Sequence, residues 1–347
     1  MGKLLAYSGT TTKIRAIRSR LLTMDNYREL ASMHSVTEAL AYLRKQPAYR
    51  SLFADVDESA LHRNEIEKML TNAIYIDFQR IYRFATVRQR KFMDLYFHRY
   101  EIAALKTCMR MVFDHRDVTL DLKIFEEFFE KHSELDLRKL SSSRNLEEFM
   151  NNLKGTIYYD GLNRLSHIAN PTLFDYEMSI DLFYFKWLWD GKDKSKIFSK
   201  EEKKIFMDAY GVKMDLLNVR WIYRSKKFFQ MTPADIYALL IPVHYHVTNS
   251  EIRAMVEAPT MDDFNAVIKR TYYGRHYENY DMETLDQTYN QIRHDVQRRN
   301  AKRNPYSVAS LISYLYEKEH EIDKLTIALE CVRYGLSQNQ ILEYMNH

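Results

Sequence analysis

The stretch LRKLSSSRNLEEFMNNLKGTIY, Leu137 to Tyr158, returns later in the chain as IRAMVEAPTMDDFNAVIKRTYY, Ile252 to Tyr273. With no gap, Leu137, Leu140, Leu146, Phe149, Leu153, Thr156 and Tyr158 fall on Ile252, Met255, Met261, Phe264, Ile268, Thr271 and Tyr273. A more worn copy lies near the start, where Leu30, Met33, Leu40 and Tyr49 take the same roles. A threefold repeat therefore organises the chain.

The repetition extends beyond this stretch. Asn64 to Ala85 reads as a long helix, since Ile66, Leu70, Ile74, Phe78 and Ile81 recur at three and four residues. Its Leu70 and Ile74 correspond to Ile180 and Tyr184, then to Leu285 and Tyr289. A link helix follows each of these. EIAALKTCMR from Glu101 aligns with DLLNVRWIYR from Asp215 and EIDKLTIALE from Glu321, with Leu105, Val219 and Leu325 in one position. An acidic residue opens each segment, and a shared packing role explains it better than a helix dipole if the helices begin earlier, near Tyr96, Tyr210 and Tyr314. Thr232-Pro233 and Ser337 mark the helix starts that follow the second and third links. A link helix at the C-terminus could pack beside the N-terminal copy and close three units on themselves.

Composition sets the fold class. Eight glycines and six prolines in 347 residues are roughly a third of the usual share. Few turn-formers imply long helices with short connections, which excludes sandwiches, barrels and Rossmann sheets. The expected fold is all-α: a pseudo-threefold helical bundle of three diverged repeats, near 7–94, 95–209 and 210–347, in a single domain over 1–347. Cys108 and Cys331 lie far apart on apolar-periodic segments and read as buried thiols of a reducing compartment. The longest apolar runs, such as Ile236 to Val243, are too short to span a bilayer. The chain reads as soluble and cytoplasmic.

No chemistry emerges from the motifs. The chain has no glycine-rich phosphate loop, no GxSxG and no HExxH. His244 and His246 are too close together, with no third ligand, to make a zinc site. Glu126, Glu127 and Glu130 read as the solvated face of a helix that carries Phe125, Phe128 and Phe129, and the repeat tyrosines read as core residues with a polar tip. No catalytic residue, metal ligand or cofactor is expected. Two basic stretches remain as candidate partner contacts. Tyr7 to Leu22 forms an amphipathic helix with Lys13, Arg15 and Arg18 on its basic side; Arg293 to Asn304 reads as a basic loop with Arg298, Arg299 and Lys302. Gly191 to Glu202 reads as a lysine-rich surface loop before a capped helix. A formal charge of +4 is too small to demand a nucleic-acid partner.

The order of these features resembles the C subunit of the bacterial and archaeal V-type (A-type) ATPases, equivalent to the d subunit of the eukaryotic enzymes. Tyr7 with Lys13, Arg15 and Arg18 before Leu21-Leu22, the link helices at Glu101 and Asp215, Thr232-Pro233-Ala234-Asp235-Ile236 running into Leu239-Leu240-Ile241-Pro242, and the Thr-x-Tyr endings at Thr156 and Thr271 carry the resemblance. It covers almost the whole chain. The resemblance implies a funnel of helices whose mouth receives the foot of the central shaft, formed by the D and F subunits, and whose base rests on the proteolipid c-ring at the cytoplasmic face. Contact with the membrane would then run through the ring only, and the protein would be a non-catalytic coupling for ATP-driven proton or sodium transport, with no bound nucleotide, cofactor or nucleic acid. The reading from another class is an open helical-repeat scaffold that binds peptide or RNA. Against it, the repeated positions are apolar and do not place basic and aromatic residues at a fixed phase in every unit.

Overall fold

The structure is a computed structural model that describes residues 2–54, 61–114, 125–165, 168, 170–194, 197–277 and 285–345. All of its regular elements among these residues are helices, as the glycine and proline counts require. In chain order they are α1 (Gly2–Arg18), α2 (Met24–Ala31), α3 (Val36–Lys45), α4 (Arg63–Phe84), α5 (Val87–Asp114), α6 (Glu126–His132), α7 (Leu137–Ser141), α8 (Leu146–Asn152) and α9 (Tyr159–Asn163). They continue as α10 (Leu173–Lys194), α11 (Lys200–Lys227), α12 (Pro233–Leu239), α13 (Asn249–Glu257), α14 (Met261–Arg270), α15 (Tyr272–His276), α16 (Leu285–Arg303), α17 (Val308–Arg333) and α18 (Gln338–Tyr344).

The chain folds into two compact units. The first joins the two ends of the sequence, Met1–Val87 and His294–His347, with Lys123–Phe125. Its centre is α17, the C-terminal link helix, against which α1, α2, α3, α4 and α18 pack. Ile14, Leu30, Leu43, Phe78, Leu311 and Leu325 are buried there. The second comprises Arg88–Leu122 and Glu126–Arg293 and holds the other two link helices, α5 and α11. Lys106 of α5 pairs with Asp181 of α10 at 2.5 Å, and α10 packs in turn against α11.

The repeat is visible in the caps. Thr23, Asp136 and Thr248 accept the N–H of Asn26, Lys139 and Glu251 at the starts of α2, α7 and α13. Ser35, Asn145 and Thr260 do the same for α3, α8 and α14. Each cap satisfies an N–H that the first helical turn leaves without an internal acceptor, worth about 1 kcal/mol. Thr232 and Ser337 cap α12 and α18. These caps also correct the register of the first copy. Leu30 accepts the N–H of Met33 just as Leu140 accepts that of Ser143, so Leu30 corresponds to Leu140, and Met33 is half-buried. One extra residue between Ser35 and Tyr49 restores the tyrosine register further on.

Three more expectations change. The basic run from Arg293 is the C-terminal half of α16 and not a loop. Gly191 to Lys194 belongs to α10, which leaves a shorter connection to the Ser199 cap of α11. The link helices begin even before Tyr96, Tyr210 and Tyr314, at Val87, Lys200 and Val308. Cys108 and Cys331 are both buried as free thiols, and burial pushes the Cys108 thiol up to about 12.

Candidate functional site

Because the link helices start so early, Glu101, Asp215 and Glu321 stand halfway along them, far from either dipole end. All three are buried, at 1%, 1% and 4% exposure. A carboxylate in such a place needs donors. Each receives the hydroxyl of a repeat-ending tyrosine: Tyr158 to Glu101 at 3.0 Å, Tyr273 to Asp215 at 2.9 Å and Tyr49 to Glu321 at 2.5 Å. Every link helix thus grips the tyrosine of the copy after it, and the last grips the first.

Further donors come from the segment that leads into each repeat. Leu22 N–H donates to Glu321 at 2.6 Å. The Ser133 hydroxyl donates to Glu101. Asp215 accepts three successive backbone N–H groups, from Tyr245 at 3.0 Å, His246 at 2.7 Å and Val247 at 3.1 Å. This loop lies so close to α11 that a Cβ at Gly211 would stand 2.5 Å from the Tyr245 ring. His246, one half of the histidine pair singled out above, stacks on Tyr272 at 3.9 Å between ring centres.

The position three residues before the acid distinguishes the copies. Lys318 in the first unit donates to Glu321 at 2.8 Å and to the Tyr49 hydroxyl at 2.9 Å, with its ammonium 4.3 Å from the Tyr49 ring centre. His98 occupies this place beside Glu101 and lies 3.1 Å from the Tyr158 hydroxyl. Val212 fills it beside Asp215. Without a neighbouring cation, burial raises Asp215 to about 6 despite its four donors. Burial, with the Glu321 carboxylate adding to it, holds Tyr49 well above the ordinary phenol range, so its hydroxyl stays a donor. These groups bind one another and present no nucleophile or base to solvent.

The six candidate contact residues divide differently. Arg18 turns inward, its Nε 2.6 Å from Glu317 and its guanidinium near Ser313, so half-burial and pairing account for it. Lys13 lies over the Phe84 ring at 5.0 Å and Arg15 over Tyr306 at 5.7 Å. Arg298, Arg299 and Lys302 are exposed on α16, and none has an ion-pair or hydrogen-bond partner among the described residues. Sequence reasoning missed His98, Lys318, Gly211 and the 245–247 loop. The signal for the first two was a titratable residue on the apolar side of a link helix, one turn before the acid.

Among the described residues, no group of histidine, cysteine and carboxylate side chains could hold a metal ion, and no helix is long and apolar enough to cross a membrane. Residues 10–344 match the family model described as ATP synthase (C/AC39) subunit. Similar proteins include the A-type ATP synthase C subunit of Methanosarcina mazei, 22% identical over 98% of this chain and 92% of its own length. Its counterpart in Thermococcus kodakarensis is 20% identical over 99% and 91%, and that of Archaeoglobus fulgidus 21% over 99% and 97%. The chain therefore belongs to the ATP synthase (C/AC39) subunit family and is a structural, non-catalytic subunit of an A/V-type ATP synthase.

Proposed function

We propose that this chain is the socket of the rotor: it receives the foot of the central shaft, formed by the D and F subunits, rests on the proteolipid c-ring, and passes torque between them. The observation that carries this reading is the recurrence of one buried tyrosine–carboxylate junction in all three copies, with the C-terminal link helix holding the N-terminal tyrosine. A coupling must resist twist. Long helices tied to the next copy by buried charge-assisted hydrogen bonds deform less than an open solenoid whose ends hang free. The cyclic order of the junctions supports a pseudo-threefold funnel, a single working body over 1–347 with repeats near 7–94, 95–209 and 210–347. In this reading the chain sits at the cytoplasmic face, contacts the membrane through the ring, and binds neither nucleotide nor the proton or sodium ion that the ring carries.

The test is coupling itself. Membranes from a host lacking this chain should hydrolyse ATP without building an ion gradient, and restoring the chain should restore the gradient. A gradient that forms at the normal rate in its absence sinks the reading.

A further inference from the structure

Two stretches of the first unit are basic and free of acid. Residues 1–24 contain Lys3, Lys13, Arg15, Arg18 and Arg20 and no carboxylate, and residues 296–306 contain Arg298, Arg299, Lys302 and Arg303 and none either. The fold joins them. The Thr11 hydroxyl of α1 donates to the Pro305 carbonyl at 3.3 Å, and Arg15 lies over the ring of Tyr306, in the turn directly after α16. From the same helix, Thr10 donates to the Phe84 carbonyl at 3.2 Å, next to Arg83, which is exposed and has no partner among the described residues.

The face of α16 opposite the stripe is used up. Val296, Gln297 and Asn300 are buried in the unit, while Arg298, Arg299, Lys302 and Arg303 point to solvent. Cations crowded within about one Debye length, with Asp295 one turn before Arg298 and Arg299 as the single carboxylate set against them on this half of α16, repel one another and cost stability in the free chain. Their arrangement becomes favourable when an anionic surface covers them.

We propose that this surface, the α16 stripe with Arg15 and Arg83, is a docking site for a carboxylate-rich segment of another subunit of the same ATP synthase; the inference rests on the coupling reading above and gives that partner its chemistry. Arginines outnumber lysines in it, and the guanidinium fork matches a carboxylate bidentately, whereas an ammonium acts as a point charge. A bilayer is the poorer occupant. An interfacial helix needs an apolar face to lay among the acyl chains, and α16 has spent its own on the core.

The experiment uses the full tagged chain in its host, purified from mild detergent at salt from about 50 to about 500 mM, a range over which the Debye length falls several-fold. The variants are R298E/R299E/K302E and the neutral R298Q/R299Q/K302Q. All three positions are exposed on one helix and their mutual repulsion is relieved by either change, so the thermal midpoint of each purified variant should not fall below that of the unaltered chain. Recovery of other ATP synthase subunits with the unaltered chain should fall with salt. Charge reversal should lower it on the order of tenfold at low salt, with the neutral variant in between. Recovery equal to the unaltered chain at every salt overturns the proposal. So does loss of binding to anionic phospholipid vesicles by the reversed chain while subunit recovery is untouched. If the unaltered chain recovers no ATP synthase subunit, the coupling reading falls and this surface with it.

Discussion

The junction at Glu321 and the junction at Asp215 solve one problem in two ways. In the first unit a buried ammonium, Lys318, neutralises the carboxylate and bridges it to Tyr49. In the second, Val212 replaces the cation, and three backbone N–H groups of a loop take over. The tyrosine–acid contact is common to both, while the counter-charge is not. What the fold needs from the acid is therefore an anchor for the next copy, and the means of satisfying it varies with the loop that arrives. The two solutions carry different liabilities: one fails when its cation is removed, the other responds to pH.

The largest effect is expected at the ion pair. Lys318 is 1% exposed and Glu321 4%, so Lys318→Met leaves a buried carboxylate with only Tyr49 and Leu22 as donors. Breaking a buried pair in this way costs about 3–5 kcal/mol, readable as a drop in the urea midpoint. Adding Glu321→Gln to that variant should recover much of the loss. Additive costs in the double variant would show that the two charges are not coupled.

The Asp215 junction should show itself as a pH dependence. Its folded value is about 6, against an unfolded value of about 3.9. Between these values the folded chain binds the proton more readily, so the stability it contributes is full below pH about 4 and is lost as pH rises through about 6. Two pH units correspond to about 2–3 kcal/mol. Asp215→Asn removes the titration, so the stability of the unaltered chain relative to this variant should decline by that amount from pH 4 to pH 7. A constant difference across the range would mean that the four donors outweigh burial and keep the carboxylate charged.

Much of this architecture was legible in the sequence, because apolar spacing and a fixed offset survive divergence where identities do not. Tyr158, Tyr273, Glu101, Asp215 and Glu321 were each placed at repeated positions. That tyrosine meets acid was not legible, since an offset between copies says nothing of which copy an element touches. Nor was the place of the acid within its helix. α5 follows α4 after only Ala85 and Thr86, with no glycine or proline to mark the break. The basic end of α16 looked like a loop for a similar reason: Gln297 and Asn300 face the core, so polar residues interrupt the apolar spacing that would have announced a helix.

Gly211 separates the two junctions by geometry. Gly211→Ala would drive a methyl group to 2.5 Å from the Tyr245 ring and 2.8 Å from its Cβ, in the loop whose N–H groups hold Asp215. Overpacking of this kind costs about 1–3 kcal/mol. The damage should be local to that junction: the pH dependence assigned to Asp215 should shrink with it, because a displaced loop admits water to the carboxylate.

The smallest effect is the most discriminating. Tyr49→Phe and Tyr273→Phe remove the same atom from equivalent positions, and neither creates a cavity larger than a hydroxyl. At Asp215 three N–H donors remain, so Tyr273→Phe should cost about 1.5 kcal/mol, the low end for one hydrogen bond to a charged group. At Glu321 the lost hydroxyl also accepts from Lys318, whose ammonium then gives up a partner in a buried site. Tyr49→Phe should therefore cost more, about 2–3 kcal/mol, since its hydroxyl bonds two charged groups and the Tyr273 hydroxyl only one. Tyr49→Phe keeps the ring, and with it the cation–π contact of Lys318 over it, so the difference between the two costs reports the bond from the ammonium to the hydroxyl. Equal costs would mean that the ammonium gains nothing from the phenol oxygen, and that the first unit holds its tyrosine by the carboxylate, just as the second does.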